Sequence, residues 1–429
     1  MGRNNNNCTF LDNKWNSCCN WTRPFLCRLC IVWTMKSSLI LGYGSTGQDI
    51  EKYLISKKEK YFIYDDNKTI PQDLNFQLED ITNVETLFVS PGIRKNHKIL
   101  NLAEENKVKI TTDVEFFNEI SNVKIIGVTG TNGKTSFVTL LNKLLNKYGF
   151  KSNVAGNIGI SPLNLIEDSD YLDFLILELS SFQLKHINEL NLDTSVVLNL
   201  YEDHIDWHES FEDYVSSKLK IFDFTSNNKN KYLGSVDNEL KNKNLLPKNV
   251  RLLEDIDEHL LPNYFDEFVS MLITVCKRFE ISKKEVIDFL SSESSGEHRF
   301  ELFFTKNGVE FINDSKSTNL ESVNKASFKV NNCLLIMHGL SKGISTKKLK
   351  LSEEIKKILI PKNSEFDVTS YKNIVREYES FDELKLLIQN EYKTYDTVLF
   401  SCGGSSFNDF DDYIDRGKFF KHMIKGEIT

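Results

Sequence analysis

The residues best suited to chemistry lie in Val123-Lys-Ile-Ile-Gly-Val-Thr-Gly-Thr-Asn-Gly-Lys-Thr-Ser136. The apolar run Ile125 to Val128 reads as a buried strand, and Gly130 breaks it into a turn rich in Gly and Thr. Phe137, Leu140, Leu141, Leu144 and Leu145 then recur on one face of a helix. A strand, a glycine turn and a helix N-terminus make an anion pocket. The free N–H groups of the first helical turn converge there, and the macrodipole adds partial positive charge. Gly130, Thr131, Asn132, Gly133, Lys134 and Thr135 are therefore candidate phosphate ligands for ATP or GTP. Lys134 can meet a terminal phosphate as a point charge, and the Thr135 hydroxyl can ligate Mg²⁺. The strict phosphate-loop pattern puts its first glycine at Val128, whereas the glycines here are Gly127 and Gly130. A bland Gly-rich turn is thus the alternative.

Further candidates sit at strand ends. Phe174-Leu-Ile-Leu177 delivers Glu178, and a carboxylate at the end of a strand beside a phosphate loop is where a Mg²⁺-linked acid belongs. The other reading of Glu178 is an acid that stabilises a helix N-terminus. Ser195-Val-Val-Leu-Asn199 leads into Glu202-Asp-His-Ile-Asp-Trp-His208, which puts His204 on a loop of the same sheet. Imidazole is an unusual Mg²⁺ ligand, so a mixed or Mn²⁺-tolerant site is compatible with this set. Helical spacing from Phe211 to Phe222 carries Lys218 and Lys220.

Elements on either side complete the organisation. Leu39-Ile-Leu leads to Gly42-x-Gly44-x-x-Gly47 and a helix that would start near Ser45 and Thr46. A second strand, Tyr61 to Tyr64, ends at Asp65-Asp66, and a third, Thr86 to Val89, ends at Ser90-Pro-Gly92. This spacing serves a dinucleotide, a single uridine-type diphosphate or a structural turn; the short span favours one nucleotide. After the phosphate loop come Ala155-Gly-Asn157-Ile-Gly159, a strand near Lys231 to Val236, and a helix pair, Tyr264 to Phe279 and Lys283 to Phe289. The last part opens with a hairpin, Glu301–Thr305 and Val309–Asn313, turned at Asn307-Gly308. Asn313-Asp-Ser-Lys-Ser-Thr318, His338-Gly-Leu-Ser-Lys342-Gly and Ser401-Cys-Gly-Gly-Ser-Ser406 each follow a strand of an open α/β sheet, so they should face one cleft.

The chain has 429 residues and a net charge of −8. That length fits two or three domains, and the acidic balance argues against nucleic acid. No apolar run is long enough for a membrane span. Five of the eight cysteines (Cys8, Cys18, Cys19, Cys27 and Cys30) fall in the first 34 residues. Cys27-Arg-Leu-Cys30 lacks the usual second pair for zinc, and Arg23, Pro24 and Arg28 break any secretory signal. Met35 is the expected start of the folded part, with residues 1–34 an artefact of translation or a disordered arm. The scattered Cys276, Cys333 and Cys402 suit a reducing, cytoplasmic setting.

Taken together, Thr129-Gly-Thr-Asn-Gly-Lys-Thr135, Gly156-Asn-Ile-Gly159, Asp203-His204, His298-Arg299 and Asn313-Asp-Ser-Lys316 resemble the Mur ligases over about residues 36 to 425. These are ATP-dependent amide ligases of peptidoglycan precursor synthesis. Leu177-Glu-Leu-Ser-Ser-Phe-Gln-Leu184, Ser90-Pro-Gly92, Ser405-Ser-Phe407 and Arg416-Gly417 resemble the branch that adds D-glutamate to UDP-N-acetylmuramoyl-L-alanine. The resemblance implies an α/β protein of three domains. A small Rossmann-like unit would span 35–120, a central P-loop ATPase-type unit 121–297, and a C-terminal Rossmann-like unit 298–429.

It also implies roles. Ser45, Thr46, Asp65, Asp66, Ser90, Gly92 and Asn157 would hold the UDP-linked substrate. Asn263, Arg299 and Asp314 would hold ATP with the phosphate loop. Thr135, Glu178, His204 and Lys218 would serve two Mg²⁺ ions, Lys218 after carboxylation by CO₂. Lys316, Thr318, Lys342, Ser406 and Phe407 would hold D-glutamate. A monomer acting through an acyl phosphate is expected, the last unit closing over the centre to exclude water. The chain departs from the family pattern at Asn67, Pro262, Asp266, His338-Gly339 and Ser401-Cys-Gly403. A ligase for another amino acid, a folate-extending enzyme and an ATP-hydrolysing binding protein are the other classes.

Overall fold

The computed structural model describes residues 37–205, 207–236, 240, 246–253, 261, 264–293, 296–340, 349–362 and 364–428. They build three sheets, each closed by helices. The first holds β1 (Ser37–Leu41), β2 (Tyr61–Tyr64), β3 (Val84–Val89) and β4 (Lys109–Thr111) in the order β2-β1-β3-β4, all parallel. The second holds β5 (Lys124–Thr129), β6 (Ser152–Gly156), β7 (Phe174–Glu178), β8 (Thr194–Leu200), β9 (Lys231–Val236) and β10 (Arg251–Leu252), also all parallel, ordered β10-β9-β8-β5-β7-β6. The third is ordered β11-β12-β16-β13-β14-β15. Its strands are β11 (Glu301–Lys306), β12 (Val309–Asp314), β13 (Cys333–His338), β14 (Ile355–Pro361), β15 (Val375–Tyr378) and β16 (Thr397–Gly403). Only β11, paired with β12, runs antiparallel in that sheet. Their hairpin turns at Asn307 and Gly308, both at positive φ (54° and 82°), which suits the right-handed strand twist.

Parallel strands buried on both faces need near-continuous apolar runs, and β5, β7, β8 and β13 supply them. The shorter or charged strands carry no such run. β4 has three residues, β15 reads Val-Arg-Glu-Tyr, and β14 opens with Ile355-Lys-Lys.

The first two sheets are not separate bodies. One apolar cluster joins Ile40, Ile50, Ile63, Phe88, Val114 and Phe117 to Ile125, Leu163, Leu177, Leu184 and Ile187. Two further clusters, among residues 309–424, stay within the third sheet and its helices. Among the described residues no helix is long and apolar enough to cross a membrane. The zinc reading at Cys27 and Cys30 and the start at Met35 fall outside the described residues.

Candidate functional site

The loop after β5 is held from below by β8. Thr131 N–H donates to Asn199 O at 3.0 Å, and Asn132 N–H donates to the Asn199 side-chain oxygen at 2.8 Å. The Asn199 amide returns a bond to Asn132 O at 3.1 Å. Tyr214 Oη donates to Thr131 Oγ1 at 3.0 Å. Gly133 caps α4 (Lys134–Lys147; the first three helices are Ser45–Ser56, Lys98–Glu105 and Asp113–Ile120) with φ 80°, a left-handed conformation that glycine adopts without strain. Phe137, Leu140, Leu141, Leu144 and Leu145 bury the face that the spacing predicts. Lys134 Nζ lies over the loop, donating to Gly130 O at 2.7 Å and Thr131 O at 3.0 Å. Thr135 follows in the same turn, half-buried.

Beside this loop the structure brings together Glu178 and Lys218. Lys218 is buried on α6 (Phe211–Leu219; α5 is Ser181–His186), and its Nζ donates to Gly130 O at 2.9 Å. The amine also sits 4.7 Å from the centre of the Tyr214 ring. Burial, aided by the charge of Lys134, holds its pKa well below the lysine range, against the pull of Asp203 and Glu178. Glu178 closes β7, buried; its Oε1 accepts from Asn157 Nδ2 at 3.0 Å, while its Oε2 is buried with no hydrogen-bond partner. An orphaned buried carboxylate oxygen is costly unless a cation or donor meets it there, so Glu178 fits a divalent ion. His204 adopts φ 55°, rare for a residue with a side chain, with its N–H on Asp203 Oδ1 at 2.9 Å. Its ring lies 5.0 Å from that of Phe182 and 6.4 Å from that of Tyr214. Among the described residues no three His, Cys, Asp or Glu side chains are grouped as a metal site.

In the first unit, Ser45 and Thr46 open α1 beneath Gly44, and no side chain caps that helix. Burial alone would push the Asp65 carboxyl up, but three backbone N–H donors, from Tyr43, Asn67 and Lys68, hold it below the usual range. Asp65 therefore organises its own turn. Asp66 pairs with His97 Nε2 at 3.0 Å. Ser90 is buried and donates its hydroxyl to Gly42 O at 2.6 Å, which fixes the first glycine turn. Gly92 is exposed, as is Asn157.

In the third unit, Asp314 ends β12 and accepts from Phe300 N–H at 3.0 Å and Ser401 Oγ at 2.8 Å. Burial pushes its carboxyl up to about 7 despite those bonds and the nearby Arg299 charge. Lys316 Nζ lies 3.7 Å over the Tyr413 ring, a cation–π contact. Thr318 is half-buried, Ser406 is buried and Phe407 is exposed. Asn263 and Lys342 lie outside the described residues. Asn132 on the phosphate loop and Asn319, after Thr318, exchange side-chain amide bonds of 3.3 and 2.8 Å, so the third unit touches the loop itself.

Three contributors escaped the sequence reading. Asn199 was visible only as a polar end to a strand. Tyr214 lies four residues before Lys218, the spacing that puts both on one helix face, and this was the available signal. Arg416 was quoted only as part of a pattern, and nothing local marks it as buried.

Residues 128–254 match the family model described as the Mur ligase middle domain. The chain is 30% identical over 413 residues to the UDP-N-acetylmuramoylalanine–D-glutamate ligase of Thermosipho africanus, covering 90% of this chain and 97% of that one. It is 31% identical over 443 residues to the ligase of the same name from Buchnera aphidicola subsp. Acyrthosiphon pisum, covering 92% and 98%. Its fold matches MurF ligase from Thermotoga maritima, solved in complex with ADP, with a TM-score of 0.56 at 14% identity over 92% of this chain and 98% of that one. A pseudomurein peptide ligase type C from Methanothermus fervidus matches with a TM-score of 0.54 at 16% identity, covering 91% and 99%.

Proposed function

From its membership of the Mur ligase family, we propose that the chain joins D-glutamate to UDP-N-acetylmuramoyl-L-alanine, consuming ATP and releasing ADP and phosphate. The observation that carries this reading is the convergence of Lys134 and Lys218 on the carbonyl of Gly130, with Glu178 acting on the same amine.

The chemistry follows from charge. The alanyl carboxylate and the γ-phosphate are both anionic, so their approach needs cations. Lys134 exchanges its bonds to Gly130 O and Thr131 O for phosphate oxygens. Thr135, Glu178, His204 and a carboxylated Lys218 would hold two Mg²⁺ ions, or Mn²⁺, which when bound neutralise further phosphate charge. A carboxylate oxygen then bonds to the γ-phosphorus, the bond to ADP breaks, and an acyl phosphate results. The free amine of D-glutamate attacks the acyl carbon, and phosphate leaves with its oxygen. Lys218 suits carboxylation because burial disfavours its ammonium form, and the neutral amine is the form that adds CO₂, with loss of one proton.

Arg299, Asp314 and Asn263 serve the nucleotide; Ser45, Thr46, Asp65, Asp66, Ser90, Gly92 and Asn157 serve or shape the nucleotide-sugar site. Lys316, Thr318, Lys342, Ser406 and Phe407 serve D-glutamate, whose two carboxylates need cations and hydroxyl donors. The units are 35–120, 121–297 and 298–429, and the enzyme works as a cytoplasmic monomer in peptidoglycan precursor synthesis.

The test is phosphate release from ATP with UDP-N-acetylmuramoyl-L-alanine and each candidate amino acid in turn. D-glutamate should give the fastest release, and equal or greater release with another amino acid would reassign the substrate. Lys218→Ala should lose activity and regain part of it with added short carboxylates; a variant that stays fully active without them would rule out the carboxylated lysine.

A further inference from the structure

We propose that Arg416 is the positioning residue of the amino-acid subsite, tying together three strand-end loops, two of which carry residues that would hold D-glutamate; this rests on the ligase reading above. Arg416 stands in the first turn of the last helix, Tyr413–Ile428, and its side chain is fully buried. Its Nε donates to Ser315 Oγ at 3.1 Å and its Nη2 to Ser315 O at 2.8 Å. Its Nη1 donates to His338 O and to Gly404 O, both at 3.0 Å. Ser315 follows β12, His338 ends β13 and Gly404 follows β16, and these strands are neighbours in the order β12-β16-β13. One guanidinium thus ties three adjacent loops, of which two carry Lys316 and Ser406.

The bonding pattern separates this role from simple packing. Among the described residues Arg416 forms no ion pair, and a buried cation without a carboxylate is a poor way to fill a core. What the side chain offers is a rigid planar fork with donors in several fixed directions, which an ammonium cannot copy. The loops are shaped around it. Gly339 has φ +117°, and a Cβ there would lie 2.8 Å from Arg416 Nη1 and 2.2 Å from Ser405 O. Leu340 and Ser405 exchange N–H···O bonds of 3.1 and 2.9 Å, closing two of the loops on each other.

Arg416→Lys keeps the charge and removes the fork. Its KM for D-glutamate should rise about tenfold or more, while those for ATP and the nucleotide sugar stay within about twofold, since small displacements of positioning groups are felt where they act. Hydrogen exchange should quicken together at 315–318, 338–340 and 404–407. Equal changes in all three KM values, or an unchanged KM for D-glutamate in a folded variant, would overturn the assignment. Should Arg416→Lys not fold, Ser315→Ala removes one acceptor and should shift the same KM alone, by less; no shift would count against the proposal. If the unaltered protein releases no phosphate with D-glutamate, the ligase reading fails by itself. The exchange measurement then decides the positioning role: linked quickening supports it and unchanged exchange ends it.

Discussion

The two junctions of this protein are built on opposite principles. Between the first and second sheets the joint is a shared apolar core, in which Phe117, Leu163, Leu184 and Ile187 are all at most 2% exposed. Polar bonds on its rim add alignment. His186 Nε2 donates to Ile93 O at 2.6 Å, and Glu115 Oε1 accepts from Glu189 N–H at 3.0 Å. Between the second sheet and the third no apolar cluster crosses among the described residues. The contacts there include the Asn132–Asn319 amide pair, Lys325 Nζ to Tyr201 Oη at 2.9 Å and to Glu267 at 2.5 Å, and Lys329 to Tyr264 O. Polar contacts exchange readily with water and cost little to part, whereas a fused core does not open. The contrast leads us to expect the junction beside the phosphate loop to be the one that parts, with the first two sheets moving as one body.

The harshest attack on that contrast is Phe117→Ala. Removing this ring should cost about 3–5 kcal/mol in denaturant unfolding, and the first two sheets should still unfold together. A separate transition for residues 37–120 would break the comparison. The next is Asp113→Asn. Asp113 is buried in the first junction, accepts from Ser161 Oγ at 2.7 Å, and leaves Oδ1 without a partner. Burial raises its carboxyl from 3.8 to about 6. The native state therefore keeps a proton that the unfolded chain has released, so stability falls as pH rises from about 4 to 6 and stays lower above that. By that shift Asp113→Asn should gain about 3 kcal/mol at pH 8 and almost nothing near pH 4, read by melting across pH. A gain independent of pH would show that the charge was not the cost. The smallest effect is expected at the second junction. Asn319→Asp keeps an oxygen for the Ser322 N–H cap but loses the donor to Asn132. Stability should change by less than about 1 kcal/mol, while X-ray scattering shows a more open particle. A large loss of stability with unchanged scattering would mean that this joint, too, is structural.

What the sequence disclosed follows the same division. The phosphate loop, the Asn307-Gly308 hairpin and the polar stretches after β7, β8, β12, β13 and β16 were legible because each is signalled by neighbours within a few residues. The membership of Phe117 and Leu184 in one core was not, since apolar spacing says that a face is buried and not against what. Arg416 was hidden for a similar reason: its acceptors lie 12 to 101 residues away in the chain. Asp65 and Ser90 were placed at the right turns, but their side chains turn out to bond the turns themselves, and residue type could not separate these uses.

The fused core has a consequence for descent and for engineering. The first sheet and its helices cannot be exchanged between relatives as a cassette, because one of their apolar clusters is shared with the neighbouring sheet. Changes there must be acquired residue by residue in place. The tail beyond the turn at Gly296, whose apolar clusters among the described residues are its own, is the part that recombination can trade.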